Sequence, residues 1–181
     1  MQTIQIQYHD TPYGLLKLGA FENQLCMCDW QYRKMRSAVD SRLARGLKAA
    51  FKEEDCEVLK QTRCQLDEYF NRTREKFDIP LALVGTDFQK QVWQALIKVP
   101  FGSTSSYLEL AQSINNEKAI RAVASANGAN AISIIVPCHR IIGSNGSLTG
   151  YAGGLDAKKR LLLLEQQQDL FSSEQVEQME I

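Results

Sequence analysis

In Val136-Pro137-Cys138-His139-Arg140 a cysteine stands directly before one of the chain's two histidines, with Asn130 ahead of it and Glu165 behind it. A thiol is a strong nucleophile only as thiolate, and at an unperturbed pKa of about 8.5 only a few per cent is ionised near neutrality. An imidazole held by a carboxylate can take the proton, the logic of nucleophile, base and orienter in covalent catalysis. Cys138, His139 and Glu165 supply one residue for each role. A lone histidine is ordinarily a satisfied core side chain, and a glutamate so placed is ordinarily an exposed helix-end charge. The frame around the cysteine decides between these readings.

The 181 residues suit one compact domain of mixed architecture, or two small ones sharing an interface. Hydrophobic content of 44% is ordinary for a globular chain. No run approaches the ~18 consecutive apolar residues of a membrane span, so no membrane association is expected. The opening Met1-Gln2-Thr3-Ile4-Gln5-Ile6-Gln7-Tyr8 has neither a basic n-region nor an apolar h-region, and a cytoplasmic protein is expected. Five cysteines, an odd count, argue against a disulfide framework. Cys26 and Cys28 sit two apart in a predicted strand and are expected to share a face. With Cys56 and Cys64 on a predicted helix, they lack zinc-finger spacing and read as small buried hydrophobes. Net charge is zero, yet residues 86–165 carry eight Lys or Arg against five Asp or Glu, and residues 166–181 carry four acids and no base. A mildly positive module with an acidic tail is compatible with DNA binding without demanding it.

Residues 3–9 alternate, with Ile4, Ile6 and Tyr8 on one side and glutamines on the other, which predicts a half-buried strand. Gly14 to Ala20 and Leu25 to Trp30 read as two more, joined by short turns into antiparallel hairpins. Residues 33–50 are basic and helix-compatible. Over 54–71, Cys56, Leu59, Cys64, Leu66, Tyr69 and Phe70 form an apolar helical stripe. Phe77 to Val84 is extended, and Gly85 marks a boundary. Thr86-Asp87-Phe88-Gln89 is a capping box, opening a helix stopped by Pro100-Phe101-Gly102. Ser105 or Ser106 caps the next helix, through Ile114. Asn115-Asn116 is a turn, and a further helix runs from about Glu117 to Asn127. This is helix-turn-helix geometry. A last helix runs from about Ala157 to Gln168.

Three blocks in the second half give the chain a family resemblance. They are Gly85-Thr86-Asp87-Phe88-Gln89 with Val92-Trp93 and Ala95-Leu96; Pro100-Phe101-Gly102-Ser103-Thr104-Ser105-Ser106-Tyr107 with Leu110-Ala111; and Arg121-Ala122-Val123 through Asn130 and Pro137-Cys138-His139-Arg140 to Gly150-Tyr151-Ala152-Gly153-Gly154-Leu155 and Glu165. In order and spacing they resemble the O6-alkylguanine-DNA alkyltransferases. The resemblance implies an α+β fold: a small antiparallel-sheet α/β domain over 1–84 and a mainly helical domain with a winged-helix-like helix-turn-helix over 85–168; the Gln/Glu/Ser-rich composition after it predicts a frayed acidic tail over 169–181.

It also implies a function. The protein would flip O6-alkylguanine, with O4-alkylthymine as a second candidate lesion, out of duplex DNA from the minor groove. Cys138 would take the alkyl group irreversibly, once per molecule, acting as a monomer without cofactor or metal. His139 would accept the thiol proton through a bound water, and Glu165 would hold the imidazole. Arg121 would enter the base stack, with Ala122, Ser125 and Ala126 giving a helix face small enough for close approach. Tyr107 would crowd the target phosphate and serve the leaving guanine. Asn130 would brace the turn before the cysteine. Ile141, Tyr151, Ala152 and Gly153 would hold the extruded base, with the Ala152 N–H donating to O6 and the loop glycines permitting close backbone approach. The chain departs from the family pattern at Ala131, where proline is common, at Val136 for isoleucine, and at Ala124-Ser125 for a glycine-containing pair. Against this reading stand a non-enzymatic lesion binder, which would lack the cysteine, a Cys-His-Glu hydrolase, which would need an oxyanion hole, and a DNA-binding regulator built on the helix pair.

Overall fold

The computed structural model describes residues 1–179, with side chains through Gln166. The tail predicted over 169–181 lies outside the residues whose side chains are described. Strands β1 (Gln2–Thr11), β2 (Gly14–Phe21) and β3 (Gln24–Trp30) form two successive antiparallel hairpins. Between β2 and β3 only Glu22 and Asn23 intervene, both at positive φ, as the two-residue turn that matches strand twist requires. Helix α1 (Arg36–Leu47) follows, then β4 (Ala49–Glu53), which pairs in parallel with β1. The sheet order is β3-β2-β1-β4, so its hairpins are antiparallel as expected and its last pair is parallel. The helix-compatible stretch expected over 33–50 overlaps the first two residues of β4, and the rest of that strand was not foreseen.

The two faces of the sheet bury different sets of residues. Ile4, Ile6 and Met27 pack with Val39 and Leu43 of α1, whereas Leu16, Leu18 and Cys28 pack with Leu59 and Leu66 of α2 (Glu57–Phe70). Tyr8, expected on the Ile4 face, is 39% exposed near the strand's end. A register shift at Gly19/Ala20 makes β3 bulge at Cys26. The extra residue undoes the alternation, so Cys26 and Cys28 fall into different clusters instead of sharing a face. Both are buried, and burial pushes the Cys26 thiol up to about 12.

The open edge of β3 is covered by two later segments. Leu25 exchanges backbone hydrogen bonds with Pro80 and Ala82, and Cys28 with Ala131 and Ser133. Covering the edge satisfies its amides and excludes a second chain. It also fixes the stretch leading to Cys138 against the first half of the molecule. One apolar cluster therefore runs from Leu16 and Trp30 through Val92, Leu96 and Val123 to Cys138 and Leu161.

Helix α3 (Asp87–Ile97) starts on the predicted capping box: Gln89 N–H donates to Thr86 Oγ1 (3.1 Å) and Thr86 N–H to Gln89 Oε1 (3.0 Å). Ser106, not Ser105, caps α4 (Tyr107–Ser113) through a second such box with Glu109. A single 3₁₀ turn, Glu117–Ala119, leads into α5 (Ile120–Gly128), completing the predicted helix pair. Strand β5 (Ser105–Ser106) pairs in parallel with β6 (Ile141–Ile142), and α6 (Gly154–Met179) closes the molecule.

Candidate active site

Residues 130–141 are buried throughout. Asn130 organises them: its Nδ2 donates to the carbonyls of Ile132 (3.2 Å) and Val136 (2.8 Å), and its Oδ1 accepts from Ile132 N–H (2.9 Å). Within the turn so braced, Ile134 takes φ +72°, a left-handed conformation that costs a β-branched residue on the order of 1–3 kcal/mol. The turn delivers Cys138, His139 and Arg140 as one 3₁₀ turn after Pro137.

Helix α6 brings the carboxylate. Lys158, Leu161 and Glu165 share its inward face at three- and four-residue spacing, and all three are buried. His139 Nε2–H donates to Glu165 Oε1 at 2.7 Å. The same oxygen accepts from Tyr69 Oη (2.8 Å) and Arg140 Nη2 (3.0 Å), while Oε2 accepts from Arg140 Nε (3.0 Å) and Gly102 N–H (3.3 Å). Burial acts to raise the Glu165 pKa, but the hydrogen bonds and charges of His139 and Arg140 outweigh it and hold the carboxyl at about 2. Burial lowers the His139 pKa below its usual 6.5, with Glu165 opposing. Near neutrality the pair is therefore a neutral imidazole on an ionised carboxylate. Among the described residues no group hydrogen-bonds its buried Nδ1, so the ring keeps a free lone pair for a proton. Neither ring nitrogen bonds the thiol directly.

Cys138 is 3% exposed and lies at the wall of a cavity of about 870 Å³. Burial pushes its thiol up to about 11, with the Asn130 amide and the Lys158 charge offsetting part of the rise. The resting sulfur is thus a protonated thiol that must lose its proton to react. Lys158, which sequence reading missed, is fully buried, donates to the carbonyls of Ile141 and Thr149, and is lowered in pKa by that burial. It ties β6 to the far end of the loop that precedes α6. Tyr107, the first residue of α4, lines the same cavity, its hydroxyl 3.1 Å from Thr149 Oγ1.

The sequence of this site and its frame can be set beside known proteins. Residues 4–83 match the family described as 6-O-methylguanine DNA methyltransferase, ribonuclease-like domain, and residues 87–167 match its DNA binding domain. A methylated-DNA–protein-cysteine methyltransferase of Methanosarcina barkeri is 52% identical over 157 residues, spanning 87% of this chain and 94% of the relative. The chain belongs to the 6-O-methylguanine DNA methyltransferase family. A relative of the same name from Mycolicibacterium paratuberculosis is 42% identical over 165 residues, covering 90% of this chain and 92% of its own. The crystal structure of Mycobacterium tuberculosis O6-methylguanine methyltransferase superposes with a TM-score of 0.76 at 38% identity, over 91% of this chain and 93% of that one. A structure of Mycobacterium tuberculosis OGT in complex with DNA agrees equally well, with a TM-score of 0.76.

Within this methyltransferase-family frame, most expected site residues converge. Cys138, Tyr107, Tyr151 and Ala152 line one cavity, and His139, Glu165 and Asn130 lie behind the cysteine. The Ala152 N–H is not spent on any backbone carbonyl among the described residues. On α5, Arg121, Ala122 and Ser125 are exposed. Ala126 is not: it is 2% exposed, and its carbonyl accepts from Trp93 Nε1 (2.8 Å), so it belongs to the core and is withdrawn from the DNA-facing set. Ile141 is corrected likewise. Its side chain is fully buried in β6, away from the cavity, because pairing with β5 turns it into the core. Tyr69, Arg140 and Gly102, all bound to Glu165, were not singled out from sequence for that role, because each lies far along the chain from the carboxylate or passed as an ordinary motif residue.

Proposed function

We propose that the protein repairs DNA by transferring the alkyl group of O6-alkylguanine to Cys138, irreversibly and once per molecule. The observation that carries this reading is the buried Cys138-His139-Glu165 arrangement opening on one cavity, with His139 Nδ1 free and Nε2 held by an ionised carboxylate. The Cys138 proton passes by way of a bridging water to His139 Nδ1, and Glu165 stabilises the imidazolium. The thiolate attacks the alkyl carbon in-line. As the S–C bond forms the C–O6 bond breaks, its electron pair goes to the guanine, and the Tyr107 hydroxyl donates to the developing charge. The thioether has no route back to thiol, so the protein is consumed.

The lesion reaches Cys138 only when flipped out of the duplex. Arg121, exposed beside Ala122 and Ser125 on α5, supports minor-groove approach and occupation of the vacated stack. Tyr151 and Ala152 enclose the base, with the Ala152 N–H toward O6, while Gly153, expected there too, is buried against Trp30 and does not line the cavity. Among the described residues no helix is long and apolar enough to cross a membrane. All five cysteines are free, which supports a reducing, cytoplasmic setting. The presence of Cys138 separates the chain from non-enzymatic lesion binders.

Cys138→Ala tests the assignment. It is expected to keep binding to O6-methylguanine duplex in a gel-shift titration and to lose alkyl transfer completely. Transfer by any other residue contradicts the reading. The pH profile follows from the site. Because burial holds His139 below its usual 6.5, the imidazole stays a competent base through pH 6.5, and single-turnover rates are expected to fall only at lower pH.

A further inference from the structure

The loop that encloses the cavity is held from outside the second half of the chain. Strand β3 ends in Trp30, which is fully buried, and the chain continues through Tyr32, which is half exposed at the cavity mouth. Trp30 Nε1–H donates to Tyr151 Oη at 3.1 Å, and the two rings stand nearly edge to face, 6.4 Å apart. Tyr32 Oη–H donates to the Gly153 carbonyl at 3.0 Å. A Cβ on Gly153 would lie 2.6 Å from Trp30 Nε1, so this glycine is required by the indole it rests on and not, as the sequence suggested, by the approach of a base. Tyr32 is backed in turn by Gly14, the first residue of β2, where a Cβ would come within 2.7 Å of the phenol ring. Two aromatic rings 5.9 Å apart thus grip the loop on either side of Ala152, whose N–H has no backbone acceptor among the described residues.

We propose that Trp30 and Tyr32 are positioning residues for alkyl transfer: by holding Tyr151 Oη and the Gly153 carbonyl, they fix the Ala152 N–H against the extruded base. This rests on the alkyl-transfer reading. Neither residue touches the reacting atoms. The sheet of the first half is, on this account, a structural part of the base pocket. A donor must be placed within about 0.5 Å to favour the transition state over the ground state, and an unanchored loop carrying three glycines among residues 150–154 would not hold it there.

The test is single-turnover kinetics on duplex containing O6-methylguanine, with DNA varied to saturation. The variants are Tyr32→Phe, Trp30→Phe, Tyr151→Phe and the double variant Trp30→Phe/Tyr151→Phe. Tyr32→Phe deletes one hydroxyl at a half-exposed site and leaves the fold intact. It is expected to lower the saturated transfer rate roughly three- to tenfold, the factor one net hydrogen bond commands. Affinity for undamaged duplex should not change, nor should the reaction of Cys138 with iodoacetamide, which needs no loop. Trp30→Phe and Tyr151→Phe delete the two ends of one bond, so the double variant should be no slower than the slower single. A wild-type rate for Tyr32→Phe, multiplying effects in the double variant, or a parallel loss of iodoacetamide reactivity would each overturn the proposal. If the unaltered protein transfers no alkyl group, the alkyl-transfer reading itself fails, an outcome separable from the others.

Discussion

Replacing Glu165 by alanine is expected to destabilise the fold by about 3–5 kcal/mol, the cost of breaking a buried ion pair from one side. The carboxylate accepts from His139, Arg140, Tyr69 and the Gly102 amide. Its removal strands a guanidinium that is 6% exposed and leaves the Tyr69 hydroxyl and His139 Nε2–H without that acceptor. Glu165→Gln keeps an accepting oxygen but not the charge, and should lose less. Urea unfolding checks both. Transfer should fall roughly 10²–10⁴-fold, the span that a positioned base contributes, because the imidazolium then forms beside Arg140 with no anion to balance it. The pH dependence carries the same signature. The folded pKa of Glu165, about 2, lies below its ordinary 4.5, so the stability it contributes is complete above pH 4.5 and is lost as pH falls from 4.5 toward 2. The variant should show a flatter stability profile across that window. Unfolding midpoints equal to wild type would show that the network does not hold α6 to the cysteine turn.

Arg121→Ala should separate flipping from chemistry. Arg121 is an exposed side chain on α5, so truncating it leaves the core untouched. Extruding a base costs a few kcal/mol, part of which a side chain filling the gap returns. Each 1.36 kcal/mol is tenfold in rate, so repair of duplex should slow by roughly 10- to 100-fold. Reaction with a free O6-alkylguanine base needs no flipping and should proceed at the wild-type rate. Equal losses on both substrates would remove Arg121 from the flipping role.

What the sequence revealed and what it hid follow from the range of the interactions. The α3 capping box was legible because Thr86 and Gln89 are three residues apart and their bonds are local. Strand β4 was not, because five residues just after a helix show little periodicity and their partners in β1 lie 47 residues upstream. The face of α5 was half legible. Arginine and serine mark the exposed side, but alanine looks the same on either side: Ala122 is exposed and Ala126 is buried, and nothing in the sequence tells them apart. The bulge at Cys26 needs knowledge of β2 to be seen at all. Cys138 and His139 announced themselves by adjacency. The groups that tune them did not: Tyr69 meets Glu165 across 96 positions, and Trp30 meets Tyr151 across 121.

Covalent transfer to a single sulfur leaves a mass signature that intact mass spectrometry reads. The protein is incubated with duplex carrying a single O6-methylguanine, weighed, and mapped by peptide. A gain of one methylene group located on Cys138, saturating at one per molecule and absent in Cys138→Ala, is the predicted result. An unchanged mass under conditions where the lesion is bound would contradict the account, leaving a protein that finds the damage without repairing it.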